Sequence, residues 1–193
     1  MQAQESSLIP FDEYLAGERE VETRSEYVGG LVYAMVGASE LHNTVAAELH
    51  TPINSALPDE RRAWQSDMKV IGENHGQHFA YYPDIMASCE ENTGDPYYRT
   101  NPSLIVEVLS PSTERIDLNE KFDNYITIPS LLEFVAVSQD TPFLRLFRRR
   151  NNWRPEAYYT EDTVRLESVG LDIEVRQIYR RVKREVGLLG LEE

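Results

Sequence analysis

The sequence predicts an α/β domain built on a β-sheet, and three observations carry that prediction. The run "SLIVEVLS", residues 103 to 110, is continuously apolar apart from one acid, the pattern of a central strand covered on both faces. Leu41, Val45, Leu49 and Ile53 recur every fourth residue, the spacing of one helix face. No repeat, low-complexity block or Pro/Ser linker divides the 193 residues, so a single domain over 1–193 is expected.

In chain order, "FDEYLAGE" reads as a short amphipathic helix, and "RSEYVGGLVYAMVG" as two strands around a Gly29-Gly30 turn. Ser39 suits the cap of the helix that carries Leu41 to Ile53, and Pro52 within it predicts a kink or an early end. "RAWQSDMKVIG" and "HFAYYPDIMASCE" are strand candidates joined by the turn "ENHGQ", and His75 within it and His78 just after it read as polar hairpin residues. A polar loop, "ENTGDPYYRTNP", leads into "SLIVEVLS". A helix is then expected around 117 to 127, a strand at "LLEFVAVS", a closing pair in "PFLRLFRRRNNWRPEAYYT", and one more short helix in the tail.

The composition is that of a soluble globular chain, 41% hydrophobic and 27% charged. A net charge of −14 argues against a nonspecific polybasic nucleic-acid binder, though not against an enzyme that meets phosphates through a few local cations and a metal. Cys89 is the only cysteine, which excludes an internal disulfide and a cysteine-based zinc site. The N-terminal stretch lacks the basic flank and apolar run of a signal peptide, and no segment is apolar enough to cross a bilayer, so a cytoplasmic setting is expected. No GxSxG elbow, P-loop or dinucleotide fingerprint is present.

The chemistry gathers around Glu107, the acid inside the apolar strand. An ionised carboxylate in an apolar interior costs several kcal/mol unless it is paired. Asp117 and Glu120 fit the spacing of a capping box that starts the next helix, which places Lys121 in its first turn, above the end of the Glu107 strand. Asp84 follows Pro83, whose missing donor breaks the strand ladder and frees the acid to project. If the two strands are neighbours, Asp84 and Glu107 converge under Lys121, and their repulsion calls for a cation. Mg²⁺ suits one or two carboxylates with water and phosphate completing its shell, and Mn²⁺ can stand in its place.

These residues resemble a known family. "SEYVGGLVYAMVGASELHN", "YYPDIMASC" and "PSLIVEVLSPSTERIDLNEKFDNYITIPSLLEFVAV", with Trp153 later, are similar to the Uma2 family of endonucleases within the PD-(D/E)xK superfamily. "EVLSPST" followed by an aspartate, a lysine and a tyrosine on one helix is the specific part of the match; a PD dipeptide alone is weak. The resemblance runs from about Tyr14 to Tyr179. It implies a restriction-endonuclease-like core, a mixed central β-sheet flanked by helices, and Mg²⁺-dependent hydrolysis of DNA, with a homodimer as the expected assembly. It assigns Asp84 and Glu107 as metal-binding acids, Lys121 as the catalytic lysine, and Glu26 and His42 as two further catalytic positions. The superfamily places its lysine two residues after the second acid, where this chain has Leu109, so the helix is expected to supply it. A departure lies at Gly29, where the family usually has an acid before the glycine.

Plainer readings stand beside these. Glu107 and Lys121 could be a structural ion pair, Asp84 a turn opener, Glu26 an exposed strand residue, and His42 a helix-start residue. Arg148, Arg149, Arg150, Trp153 and Arg154 suit either phosphate contacts or a solvated hairpin tip. At the level of function, the alternative to an endonuclease is a non-catalytic nuclease-fold module for nucleic-acid binding or protein assembly.

Overall fold

The computed structural model describes residues 8–35, 37–88, 94–111 and 116–188. Its centre is strand β8 (Pro102–Leu109), all eight residues of which are buried. β8 belongs to a six-stranded sheet ordered β11-β10-β9-β8-β6-β3, formed with β3 (Arg62–Gln65), β6 (Ile85–Ser88), β9 (Glu133–Ser138), β10 (Phe143–Arg148) and β11 (Pro155–Tyr159). The β8–β9 pair is parallel and the other pairs antiparallel, so the sheet is mixed, as the sequence led us to expect.

A second sheet of five strands, ordered β2-β1-β5-β4-β7, contains β1 (Ser25–Val28), β2 (Leu31–Ala34), β4 (Lys69–Asn74), β5 (Gln77–Tyr81) and β7 (Tyr98–Arg99). The two strand runs expected around "ENHGQ" each divide between the sheets: β3 and β6 lie in the first, β4 and β5 in the second. Both breaks fall at one level. Ser66 turns the chain with φ 60°, its N–H donates to the Asp84 carbonyl at 3.0 Å, and Pro83 supplies no donor to continue a ladder. Asp84 therefore sits at the corner just ahead of β6 rather than within a strand. The hairpin turns fall where expected, Gly29-Gly30 and His75-Gly76 all taking positive φ. His78 stacks on Phe11 at 4.5 Å, and Cys89 and Val36 lie outside the described residues.

One face of the six-stranded sheet carries Ile85, Leu104, Val106 and Val135, which bury Val45, Leu49 and Ile53 of helix α2 (Glu40–Ala56). Each such side chain contributes roughly 1.5–3 kcal/mol of burial. α2 does not end at Pro52 but continues to Ala56; proline there deletes only the one backbone bond to the Glu48 carbonyl, and the apolar face around Ile53 stays buried. A hairpin the sequence did not suggest, β12 (Thr163–Leu166) with β13 (Leu171–Glu174), and the short tail helix α4 (Val175–Ile178) complete this layer.

The opposite face packs Ile105, Leu109 and Phe134 against Val70, Phe79 and Tyr81 of the second sheet and against Tyr125. The helix expected over 117 to 127 is a π-helical turn, Asp117–Lys121, that runs into α3 (Phe122–Tyr125). Ile116 rather than Asp117 stands at the N-cap, and Asp117, buried inside that turn, pairs with Lys121, so an internal ion pair replaces the capping-box reading. A short apolar pattern cannot distinguish a π-turn from an α-turn, and such bulges concentrate at functional sites.

The arginine run "FRRR" is engaged in the fold. Arg148 is buried, bonding Glu133 at 3.1 Å, the Arg165 carbonyl at 2.7 Å, and Glu156. Arg149 donates to the carbonyls of Leu131, Ile126 and Ile128 and lies over the Trp153 ring at 5.0 Å, while Arg150 pairs with Glu167 at the surface. Removing one partner of a buried pair costs about 3–5 kcal/mol, since it strands the other charge. Arg148→Met should therefore lower the unfolding free energy by about 3 kcal/mol in a urea titration, whereas Arg150→Ala should leave the midpoint nearly unchanged. Equal, small effects would mean that Glu133 does not depend on Arg148.

Candidate active site

Four local devices bring distant residues to the corner at Asp84. Ser39 caps α2 by accepting the His42 N–H at 3.1 Å, which fixes His42 in the first turn. His42 Nε2 then meets Asp84 Oδ2 at 3.2 Å. The β6–β8 ladder, pairing Ile85 with Val106, sets Asp84 beside Glu107, so that the Asp84 N–H faces Glu107 Oε2 at 3.4 Å and Val108 N–H donates to Asp84 Oδ2 at 2.6 Å. β1 carries Glu26, held by the Tyr82 N–H at 3.2 Å. The π-turn delivers Lys121.

Lys121 Nζ lies 2.9 Å from Glu26, 3.5 Å from Asp117 and 3.7 Å from Glu107. The Tyr125 hydroxyl donates to Glu107 Oε1 at 2.7 Å. Asp84, Glu107, Lys121, Glu26 and His42, singled out in the sequence, thus lie in one cluster. Asp117 and Tyr125 belong to it as well; sequence reasoning gave Asp117 only a capping part and Tyr125 no part in the site, although an aspartate and a tyrosine four residues either side of the lysine were the available signal. Tyr82 and Val108 act through backbone N–H groups, for which side-chain identity gives no signal. Leu109, at the superfamily's usual lysine position, is buried among apolar residues.

The electrostatics show a shortage of positive charge. Burial pushes the Glu107 carboxyl well above the usual carboxylate range, Lys121 pulls it back, and Asp117 and Asp84 push it up again. For Lys121, burial alone would favour the neutral amine, but Glu107, Glu26 and Asp117 outweigh it and hold the ammonium charged. Burial likewise opposes charge on His42, yet its bond to Asp84 raises its pKa above the ordinary histidine value. His42 Nδ1 is buried with no hydrogen-bond partner among the described residues.

Four carboxylates, Glu26, Asp84, Glu107 and Asp117, therefore face one ammonium and one imidazole. A divalent cation would balance that surplus. Among the described residues, no group of three His, Cys, Asp or Glu side chains is arranged to hold a metal ion. Two carboxylates with an open remainder are nevertheless what Mg²⁺ takes when water and phosphate supply its other ligands, so the donor set fits.

The profile of the Uma2 family, described as "Putative restriction endonuclease", matches residues 11–176. The chain belongs to the Uma2 family. Two relatives from Synechocystis sp. (strain ATCC 27184 / PCC 6803 / Kazusa) are similar: "Uncharacterized protein slr1290" is 32% identical over 173 residues, covering 88% of this chain and 90% of its own. "Uncharacterized protein sll1609" is 34% identical over 139 residues, covering 69% and 77%. A crystal structure of "a putative nuclease belonging to DUF820" from Anabaena variabilis ATCC 29413 superposes with a TM-score of 0.72 at 18% identity, covering 90% of this chain and 97% of that one. This Uma2 chain has the fold of that structure, and its family is described as one of nucleases. In this Uma2 chain Glu107 on β8, the PD corner and the π-turn lysine occupy one site, which lies within the matched residues.

The charge sharing at Lys121 has a measurable consequence. Lys121→Met should lower the unfolding free energy by about 3 kcal/mol, because three acids lose their common cation. Adding Glu107→Gln should recover part of the loss, since the amide needs no counter-charge. Urea titrations of both single variants and the double variant give the coupling; strictly additive effects would mean that the two side chains do not share charge.

Proposed function

We propose that this protein is a Mg²⁺-dependent DNA endonuclease that hydrolyses phosphodiester bonds at the Asp84–Glu107–Lys121 site. The observation that carries the reading is a buried acid cluster with more negative charge than its own lysine and histidine balance, in a chain of a nuclease family. Asp84 and Glu107 would hold the ion, with Mn²⁺ an acceptable substitute. The ion would supply Lewis-acid polarisation of the phosphoryl group and acidify water for attack.

The residues of the chain do the rest. Lys121 stays an ammonium and donates to the water or to the phosphoryl oxygens, where negative charge grows in the transition state. Glu26 and Asp117 aim that ammonium from two sides. His42 orients Asp84 through Oδ2, while the Val108 N–H holds the same oxygen. Tyr125 fixes the rotamer of Glu107.

A homodimer belongs to this reading. Among the described residues β2 pairs only with β1, and Leu31, Val32 and Tyr33 are exposed along this free edge. Antiparallel addition of a second β2 would be self-complementary, and Glu26 sits one strand in from that junction, opposite Tyr33. The partner we assign to this edge is therefore a second copy. No helix of the described residues is long and apolar enough to cross a membrane, and a single cysteine suits the cytoplasmic setting we assign.

The alternative, a nuclease-fold module without catalysis, draws on the charge of −14. One titration separates the two. Labelled duplex should bind more tightly when poorly catalytic Ca²⁺ is added, the gain should shrink in Asp84→Asn, and Mg²⁺ should support cleavage by wild type but not by that variant. Equal affinity in all four combinations of protein and Ca²⁺, with no cleavage, would sink the endonuclease reading. Sedimentation velocity tests the assembly: Val32→Lys should convert a dimer to a monomer, and a wild-type monomer at high concentration would remove the dimer from the proposal.

A further inference from the structure

Two edge strands, one from each sheet, meet at the rim of the apolar layer and bring cations together there. β3 ends the six-stranded sheet and β7 ends the five-stranded one. In β7 Arg99 opposes Val70, which is fully buried between the sheets, and directly opposed residues point to the same side of a sheet. Arg99 therefore reaches toward the six-stranded sheet, where its guanidinium lies over the Trp64 ring at 4.6 Å. Trp64 opposes Met86, and both pack in that same layer. Arg62, two residues before Trp64 on the same face of β3, opposes Ser88 and is exposed.

The charge of this rim is unbalanced in the sense opposite to that of the active site. Arg99 Nη1 donates to the Tyr98 carbonyl at 2.7 Å and to the Asp95 carbonyl at 3.2 Å. Its Nε is buried without an acceptor, and Nη2 has none either among the described residues. The Nε–Nη2 edge is one by which a guanidinium can grip two oxygens at once. Burial and the charge of Arg62 both push the Arg99 pKa down, and no acid pushes it back. Among the described residues no carboxylate pairs with either arginine. The chain holds 33 acids for 19 lysines and arginines, so composition alone would surround a cation with acids. Two neighbouring guanidinium groups that share none repel each other, and an anion between them would relieve that repulsion.

We propose that Arg62 and Arg99 bind a backbone phosphate of the substrate DNA, a few nucleotides from the phosphodiester cut at Asp84 and Glu107. The inference rests on the nuclease reading and adds a substrate-binding site to it. β3 leads from this rim to the active site, because the Ser66 N–H just beyond its end donates to the Asp84 carbonyl at 3.0 Å. The strand from Arg62 to Ser66 spans roughly 14 Å at about 3.4 Å per residue. One strand of B-DNA advances about 3.4 Å per nucleotide, so the anchored phosphate lies about four nucleotides from the cut. A contact of this kind fixes the register of the strand and reads no sequence. Trp64 holds the plane of the Arg99 fork by stacking, so less freedom is lost when the phosphate binds.

The test uses the full chain and labelled duplex, titrated with and without Ca²⁺ at several salt concentrations. Arg62→Gln should weaken binding about tenfold at low salt and reduce the salt slope by about one ion, while the gain from Ca²⁺ persists. Arg62→Lys keeps the charge and loses the fork, so it should restore the slope but only part of the affinity. Arg176→Gln, the same charge change on α4 against the other face of the sheet, should alter neither. A second measurement needs neither DNA nor metal. Arg62→Gln should raise the unfolding temperature at low salt by removing the repulsion on Arg99, and inorganic pyrophosphate should raise that of wild type more than that of the variant. An Arg62→Gln variant that melts below wild type would mean that Arg62 serves the fold, and would overturn the assignment. If Arg62→Gln binds duplex as wild type does while Ca²⁺ still tightens binding, the phosphate site is wrong and the nuclease reading survives. If Ca²⁺ changes nothing but Arg62→Gln still weakens binding, the cut at Asp84 falls and the phosphate contact stands. If wild type binds no duplex under any condition, both fall together.

Discussion

A carboxylate placed inside the sheet, at Glu107, is the constraint that the rest of this structure serves. Its strand is buried along its whole length, so the charge has no water to rely on. Tyr125 gives it one hydrogen bond and Lys121 one cation, and both come from the short crossover between the parallel strands β8 and β9. Lys121 cannot serve Glu107 alone, because Glu26 and Asp117 claim the same ammonium. The outcome is a cluster short of positive charge. In a core kept only for stability such a surplus would be a defect, since well-packed apolar residues do as well or better. Under the endonuclease reading we propose, a cation and a phosphodiester would offset it.

The scaffold holds this cluster by corners and caps rather than by one rigid element. Pro83 and Ser66 turn two strand runs from one sheet into the other at the same level, and Asp84 stands at that corner. Ser39 fixes the first turn of α2, and through it His42. Tyr82, between the corner and Glu26, ties the second sheet to the site through its N–H, while its hydroxyl bonds Glu18, which lies near the buried Lys69. Burial lowers the pKa of Lys69 to about 8. The two sheets are therefore joined by polar contacts around the site as well as by the apolar layer of Phe79, Tyr81, Ile105 and Phe134.

An acidic protein that meets nucleic acid must place its cations economically. Most arginines of the "FRRR" run are used to hold strands and loops together, so neither a phosphate patch nor a solvated hairpin tip describes them. The two-residue alternation of β10 puts Arg148 on the same side as Leu146, which opposes Glu156, and Arg145 on the other side with Phe147. Leu146, between them, faces the α2 layer.

The sequence by itself determined the fold class, the buried acid in a two-face strand, the lysine fourteen residues later (121 − 107), the proline-aspartate break, the glycine turns and the Ser39 cap. These are local patterns or strong family signatures, and each is set by backbone sterics or apolar periodicity. Tertiary structure alone decided that each long strand run divides between two sheets, that the crossover opens with a π-turn, that Asp117 joins the cluster instead of capping a helix, and that Arg148 and Arg149 are internal. Those outcomes depend on which partner each backbone and charge meets across tens of residues. A sequence names the groups that need a partner; only packing selects the partner each one finds.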